Sequence, residues 1–297
     1  MNIIDSEVTL NALQIFTNSG IRNSYDISET ELTDYNAAKS ILSEALDFEG
    51  LYDQLMEAYW DYKNKVNYWN IRSVSKPLDY VLNHEIRSTL NRFAFNLLNL
   101  GKMYLDKHYN KDKKLCFAAD ISGEQDDLKK VIDHRHEIFE SNVEYVIAYK
   151  LRAYVQHQEM PVSRFSSGVK INSDKTRTAS FDIKYNYQDL VNMKVPVQRI
   201  SKDSGFELTS ILDGYVDALS KMHHLNRQLT ESKIKQTREQ VSNYWSNYTE
   251  DLKEGFMATI IFDNKRYNTS LEWFVVYDYL KKKHAFPVGY SNLLFEK

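Results

Sequence analysis

The sequence predicts a mainly α-helical protein, an antiparallel four-helix bundle with a β-hairpin insertion and a small C-terminal α/β appendage. The 297 residues include only 9 glycines and 4 prolines, well below the average usage of about 7% and about 5%. Both residues are unfavourable inside helices and favoured at turns, so their scarcity indicates long helices. Apolar residues also recur at helical spacing in four long segments. A turn-rich β-sandwich or barrel is therefore not expected.

The first half of the chain predicts two of these helices. Residues 1–34 are expected to form an N-terminal segment, at the end of which Ser28 and Glu31 offer capping and acidic groups for a helix start. The first helix is predicted over residues 35–65, where apolar residues fall three to five apart. The second is predicted over residues 77–108, because a proline suits the first turn of a helix and an apolar stripe follows.

The third predicted helix carries the longest apolar stripe and runs from about residue 122 to Pro161, which forbids its continuation. The stripe from Leu128 to Pro161 spans roughly nine turns without a break. The fourth begins near Ser204 or Ser210 and continues to about Tyr248. The bundle as a whole is assigned to residues 35–250.

Two segments depart from the helical spacing of apolar residues. Residues 166–187 read as two short strands around a polar turn, which predicts a β-hairpin inserted before the fourth helix. Residues 251–297 are assigned to the appendage, with a strand over Phe256–Phe262, a turn at Asp263–Lys265 and an aromatic helix candidate.

Charge and cysteine content limit the class of protein and the compartment in which it is expected. Lys and Arg number 38 against 41 Asp and Glu, which disfavours a generally basic nucleic-acid coat. The single cysteine, Cys116, cannot form an internal disulfide, and the start carries Asp5 and Glu7 where a signal peptide would be basic. No apolar stretch reaches the roughly 20 residues that cross a bilayer. A cytoplasmic protein without membrane contact is expected.

Common catalytic and cofactor motifs are absent from the sequence, including those for nucleotide, zinc and serine-hydrolase sites. His134 and His136 are two residues apart on a predicted helix, so they point in different directions and do not predict a shared metal ion. No metal and no cofactor are expected.

The end of the third predicted helix, KLRAYVQHQEMPV, places Arg152 and His157 five residues apart just before Pro161. This arrangement resembles the HEPN superfamily of helical bundles, whose RNA-cleaving members carry an Arg, four to six residues and then a His at a helix end. The segments LRAYVQHQEMPV and SILDGYVDALSKMHHL look like the corresponding helices of bacterial members of this superfamily. The resemblance covers roughly residues 35–248.

The resemblance implies a metal-independent endoribonuclease that cleaves cellular RNA, tRNA or mRNA, in a bacterial toxin-antitoxin or anti-phage defence system. It also implies a homodimer, because the family joins two such motifs across a two-fold axis into a composite site. An antitoxin or another protein of the defence system is the further partner that it suggests.

The residue types suit this chemistry. A histidine can take or give a proton near neutral pH, so His157 is the candidate for proton transfer. The fixed charge and planar donors of Arg152 suit the scissile phosphate and the transition-state charge. Residues five apart on a helix are separated by about 140°, so one chain does not bring both to one point. Neighbouring candidates are Lys150 and Arg164 for substrate phosphates, and Tyr154 and Gln156 for supporting hydrogen bonds.

Two alternatives remain open. Ala153 lies where many family members carry a polar residue, and Glu159 lies where some members carry a tyrosine. These differences favour a catalytically silent scaffold or binding subunit of such a system. Arg and His are also favoured near helix C-termini for their interaction with the last carbonyls. The Arg-His spacing would then be accidental in a helical interaction protein.

Overall fold

The computed structural model describes residues 11–17, 20–74, 79–162, 165–198, 200–244 and 257–285, and their fold is mainly helical with small antiparallel sheets. The predicted fold class is confirmed at that level. The helices are α1 Glu29–Val74, α2 Tyr80–His108, α3 Phe117–Ser122, α4 Gln125–Ser141, α5 Val143–Val155, α6 Tyr187–Asn192, α7 Leu208–Tyr244 and α8 Val275–Lys283. The strands are β1 Ala12–Thr17, β2 Gly20–Asp26, β3 Tyr109–Asn110, β4 Leu115–Cys116, β5 Ser166–Ile171, β6 Arg177–Asp182, β7 Lys184–Tyr185, β8 Phe206–Glu207, β9 Met257–Phe262 and β10 Lys265–Asn268.

The chain divides into two compact units. Within the described residues, one unit combines the residues up to 49 with residues from 231 to 283, and the other combines residues from 50 to 230 with those from 284 on. The first unit contains a four-stranded antiparallel sheet with the order β10-β9-β1-β2. The predicted boundaries near residues 35 and 250 assign β1 and β9 to different segments, whereas the structure pairs them in this one sheet. Strand pairing is non-local, so periodicity along the chain does not reveal the partner of a strand.

The sheet has one buried pair at its centre and a tight turn at its edge. Leu13 of β1 lies opposite Ile260 of β9, and both are buried. The turn between β9 and β10 contains Asp263 and Asn264, both with positive φ (47° and 61°). Positive φ at both central residues is the geometry of the hairpin turn that matches strand twist, and Asp and Asn tolerate it well. The strand and turn predicted here are therefore present, apart from Phe256, which lies outside the described residues.

The starts of α1 and α2 are capped by side chains. Ser28 Oγ accepts from the Glu31 N–H at 3.2 Å, and the Glu31 carboxylate accepts from the Ser28 N–H at 2.8 Å. The hydrogen bonds that the Ser28 N–H and hydroxyl donate to the Glu31 carboxylate lower the pKa of Glu31. At α2, Asp79 accepts from the Leu82 N–H at 2.7 Å. Satisfying these free N–H groups lets α1 begin earlier than the predicted residue 35.

The prediction of a single long third helix from about residue 122 to Pro161 is wrong. The structure has a short helix α3 that ends at Ser122, and the helix after it breaks at Asn142 into α4 and α5. Asn142 Oδ1 accepts from the Tyr145 N–H at 2.8 Å, and its Nδ2 donates to the Gly214 carbonyl of α7 at 3.1 Å. A side chain that caps a new helix and bonds a neighbouring one stabilises the break against the apolar periodicity.

The second unit contains the hairpin and the helices around the candidate site. Strands β5 and β6 pair in register with Gly168 opposite Ser180, within the predicted hairpin segment. Strand β7 then pairs with β8, which leads directly into α7. Helix α2 packs against α5, and Ile86, Leu90 and Leu97 of α2 are fully buried. The packing against α2 thereby supports α5, which carries the candidate site.

Candidate functional site

The end of α5 is closed by backbone hydrogen bonds that leave His157 just beyond the helix. The N–H groups of His157 and Gln158 both donate to the Tyr154 carbonyl, at 3.1 Å and 2.9 Å. His157 is exposed in this turn. The helix therefore ends at Val155, before Pro161, and presents the imidazole to solvent.

The segment after this turn is held on both sides. The Val162 N–H donates to Asn91 Oδ1 of α2 at 2.6 Å. On the other side, the Tyr185 hydroxyl of β7 donates to the Pro161 carbonyl. Both Pro161 and Val162 are buried. These two anchors define the position of the turn that carries His157.

An open cleft of about 520 Å³ lies between the end of α5 and the end of α6, and we call it the α5–α6 cleft. Its volume is within the range of small-ligand sites, about 300–1,000 Å³. One wall comes from α5 and its turn, and the other comes from the last residue of α6 and the residues after it. The first wall includes Lys150, Ala153, Tyr154 and His157, and the second includes Asn192 and Lys194.

The charge of the α5–α6 cleft is one-sided. Lys150, His157 and Lys194 line it, and among the described residues no carboxylate does. Within the described parts of the chain, neither Lys150 nor Lys194 forms an ion pair. Two lysines that are not neutralised by acidic partners favour an anionic ligand, and phosphate groups are ligands that lysine binds as a point charge.

The structure brings some predicted site residues together and separates others. Lys150, Tyr154 and His157 share the cleft. Gln156 points elsewhere, because its Nε2 donates to Asn99 Oδ1 of α2 at 3.4 Å. Arg164 lies outside the described residues. Helical spacing found the α5 wall, but nothing in the local pattern of the sequence marked Asn192 and Lys194 as the opposite wall.

Arg152 does not join His157 in the α5–α6 cleft. It lies on another face of α5, where its positive charge acts on the buried Tyr215 hydroxyl of α7. Burial raises the pKa of Tyr215 far above its ordinary value and the Tyr145 hydroxyl adds to this rise, whereas Arg152 opposes it. Arg152 Nε is buried and makes no hydrogen bond within the described part of the chain. Within one chain, the two residues of the predicted motif therefore face different surroundings.

A second cleft of about 530 Å³ adjoins the first and shares Tyr154 and Asn192 with it. Arg87 and Asn91 of α2 line its far side, and Glu159 lines it close to the α5 turn. It is of mixed charge. Tyr154 thus lies at the boundary between a basic cleft and a more polar one.

A buried polar cluster occupies the core of the same unit. His108 and Asn226 are fully buried, and His108 Nδ1 lies 2.8 Å from Asn226 Nδ2. Asn226 Nδ2 also donates to the Tyr104 hydroxyl at 3.2 Å. Nearby, the Tyr52 ring stacks on His223 with their centroids 3.8 Å apart. Burial, followed by the positive charge of Arg135, lowers the pKa of His108 to about 3. A neutral, buried imidazole suits a structural role rather than contact with a ligand.

Other candidate centres give weaker signals. Cys116 is buried, and its burial raises the pKa of the thiol, which disfavours the nucleophilic thiolate. Across the described ranges, no group of three His, Cys, Asp or Glu side chains could hold a metal ion. No helix in those ranges has the length and apolar character needed to cross a bilayer.

Comparison of the chain with protein-family models, with curated proteins and with solved structures finds no match in any of the three. The α5–α6 cleft and its chemistry therefore carry the functional argument.

Proposed function

We propose that this protein is a metal-independent endoribonuclease with a HEPN-like helical bundle, which binds cellular RNA at the α5–α6 cleft. The observation that carries the proposal is the combination, in one open cleft, of an exposed histidine with two lysines that have no ion-pair partner among the described residues. An imidazole can transfer protons near neutral pH, and the lysines attract the phosphate backbone. The toxin-antitoxin or anti-phage setting, tRNA or mRNA as target, and a cytoplasmic location rest on the family resemblance.

The proposed reaction uses the nucleophile of the RNA itself. The ribose 2′-oxygen attacks the adjacent phosphorus while its proton passes to a base, and the bond from phosphorus to the 5′-oxygen breaks as that oxygen gains a proton. The products are a 2′,3′-cyclic phosphate and a 5′-hydroxyl. His157 is proposed for one of these proton transfers, and Lys150 stabilises charge on the phosphate.

Arg152 needs a second copy of the chain in this scheme. Because it lies away from the cleft of its own chain, we propose that the active form is a homodimer in which a composite site joins Arg152 and His157 from two protomers. The guanidinium is a suitable candidate, since its Nε makes no hydrogen bond within the described part of its own chain. A planar, permanently charged fork suits the extra negative charge of the transition state.

A silent RNA-binding or scaffold subunit is the second candidate, and the separation of Arg152 from the α5–α6 cleft favours it. Ala153 also faces this cleft with a methyl group where many family members carry a polar side chain. In this case the lysines would bind RNA or another polyanion without cleavage.

The test is cleavage of total cellular RNA by the purified protein in EDTA, with analysis of the product ends. Wild type should cut and leave 2′,3′-cyclic phosphate ends, whereas Arg152→Ala and His157→Ala should lose at least about 100-fold in rate, the usual scale of a lost proton-transfer group or charge stabiliser. His136→Ala is the matched control, because His136 is an exposed histidine of α4 outside the cleft.

Each result decides between the candidates. Cleavage by wild type and by His136→Ala, with both site variants folded and inactive, supports the nuclease. RNA binding without cleavage supports the silent subunit. Cleavage by the site variants at the wild-type rate overturns the assignment of Arg152 and His157. Light scattering on the same samples should give the mass of a dimer, and a monomer that cleaves RNA would exclude the composite site.

A further inference from the structure

Lys194 has an uncommon backbone conformation at the end of α6. Its φ is +58°, in the left-handed region. The Val195 N–H donates to the Leu190 carbonyl at 3.0 Å, and the Lys194 N–H donates to the Val191 carbonyl at 2.9 Å. These two hydrogen bonds form the Schellman motif, in which the left-handed position is usually a glycine because a Cβ atom is unfavourable there.

The other non-glycine residues with positive φ in the described ranges lie in turns between strands: Lys114, Lys175, Asp263 and Asn264. Among them all, Lys194 is the one that ends a helix. Residues held in the left-handed region cost folding free energy and are found preferentially at functional sites. The conformation of Lys194 therefore calls for a role of its side chain.

The surroundings of Lys194 fix its backbone and leave its side chain free to bind. Leu190, Met193 and Val195 are buried and anchor the motif. Lys194 itself is exposed, and it lines the α5–α6 cleft from the wall opposite Lys150. The Schellman hydrogen bonds already satisfy the last carbonyls of α6, so the ammonium group is not needed to cap the helix.

We propose that Lys194 is a phosphate-binding residue, which with Lys150 holds a backbone phosphate of RNA across the α5–α6 cleft. This inference rests on the proposed function and adds a residue from the opposite wall that the Arg-His pattern does not contain. The left-handed cap makes it a preorganised contact, since the position of the Lys194 backbone does not depend on the ligand. The role of Lys194 is binding and positioning, while proton transfer stays with His157.

The experiment measures binding separately from cleavage. The probe is a fluorescein-labelled 2′-O-methyl oligouridylate, whose blocked 2′-oxygen cannot attack phosphorus, and its affinity is measured by fluorescence anisotropy across a salt series. Lys194→Gly removes the charge and accepts the left-handed backbone. Lys194→Asn is a second neutral variant that also tolerates this conformation. Lys175→Gly is the matched control, because Lys175 is an exposed lysine with φ +66° in the β5–β6 turn.

Loss of one phosphate contact has a defined signature. The slope of the logarithm of affinity against the logarithm of salt concentration should become less steep by about 0.7 for a single strand. Affinity at low salt should fall about threefold to tenfold in both Lys194 variants. Lys175→Gly should keep the wild-type slope and affinity. The melting temperature of Lys194→Gly should equal or exceed that of wild type, because glycine relieves the left-handed residue.

The outcomes separate the two proposals. If wild type binds and both Lys194 variants lose affinity while Lys175→Gly does not, the inference stands. If wild type binds and the Lys194 variants match it in slope and affinity, Lys194 is not a phosphate contact, although the proposed function survives. If wild type does not bind the probe at any salt concentration, RNA binding at this cleft is wrong, and the proposed function fails together with the role of Lys194.

Discussion

Acid should destabilise this protein through His108, and the size of the effect follows from the burial of the imidazole. The pKa of His108 is about 3 in the folded protein because the ring is fully buried, whereas a histidine in an unfolded chain titrates near 6.5. Between these two values the unfolded state binds a proton that the folded state does not. The contribution of His108 to stability is therefore complete above about pH 6.5 and is lost as pH falls toward the folded pKa.

The magnitude follows from proton linkage. A difference of one bound proton changes the free energy of unfolding by about 1.4 kcal/mol per pH unit. From pH 7 to pH 5, His108 should therefore remove about 2 kcal/mol, and from pH 7 to pH 3 about 4 kcal/mol. Against a typical total of about 5–15 kcal/mol, this is a large fraction.

The assay is urea unfolding at pH 7, 6 and 5 for wild type and His108→Gln. Glutamine can still form a hydrogen bond with Asn226 but does not titrate. The variant should be less stable than wild type at pH 7. Below pH 6, its free energy of unfolding should change with pH less steeply than that of wild type, by about 1.4 kcal/mol per pH unit. His136→Gln is the matched control, because it makes the same substitution at an exposed histidine of α4. Equal slopes for wild type and His108→Gln would refute the reasoning, since the buried ring would then not differ from the unfolded state in bound protons.

Two further predictions concern packing and a half-buried ion pair. Gly101→Ala should destabilise the protein by about 1–3 kcal/mol, because the added methyl group would overlap the buried Tyr215 ring. Gly50→Ala on α1 meets no neighbouring atom and should stabilise the protein by about 0.5–1 kcal/mol. A higher melting temperature for Gly101→Ala than for Gly50→Ala would contradict this account of the packing around the two glycines. Burial raises the pKa of Asp213 to about 6, and the charge of Lys63, 3.2 Å away, opposes this rise. Lys63→Met should therefore lower the free energy of unfolding by about 1–3 kcal/mol at pH 7 and by clearly less at pH 5, where the unpaired Asp213 carboxyl can take up a proton. An equal loss of stability at both pH values in urea unfolding would contradict this role of Lys63.

The features that the sequence predicts correctly are those that depend on interactions between residues close together in the chain. The cap at Ser28 and Glu31, the stripe of α2 and the strand and turn after Met257 depend on residues within a few positions of one another. Local spacing is therefore enough to find them. The break at Asn142 was missed because its stabilising hydrogen bond reaches Gly214 on another helix.

The candidate site divides in the same way. The α5 wall was predicted because Lys150, Tyr154 and His157 lie on one short segment whose end is marked by a proline. The helical angle between Arg152 and His157 also indicated that one chain would separate them, and Arg152 does lie outside the cleft. The opposite wall could not be found from the sequence, since Lys194 comes after a hairpin and a separate short helix.

The sequence by itself determined that the chain is mainly helical and which segment presents a histidine at a helix end. These features depend on helix propensity, caps and the period of apolar residues, which act over a few positions. Only the tertiary structure decided that β1 pairs with β9, that the charge of Arg152 acts on the Tyr215 hydroxyl, and that Lys194 lines the same cleft as Lys150. Contacts between residues far apart in the chain depend on packing and on hydrogen bonds across elements, and no local pattern encodes them.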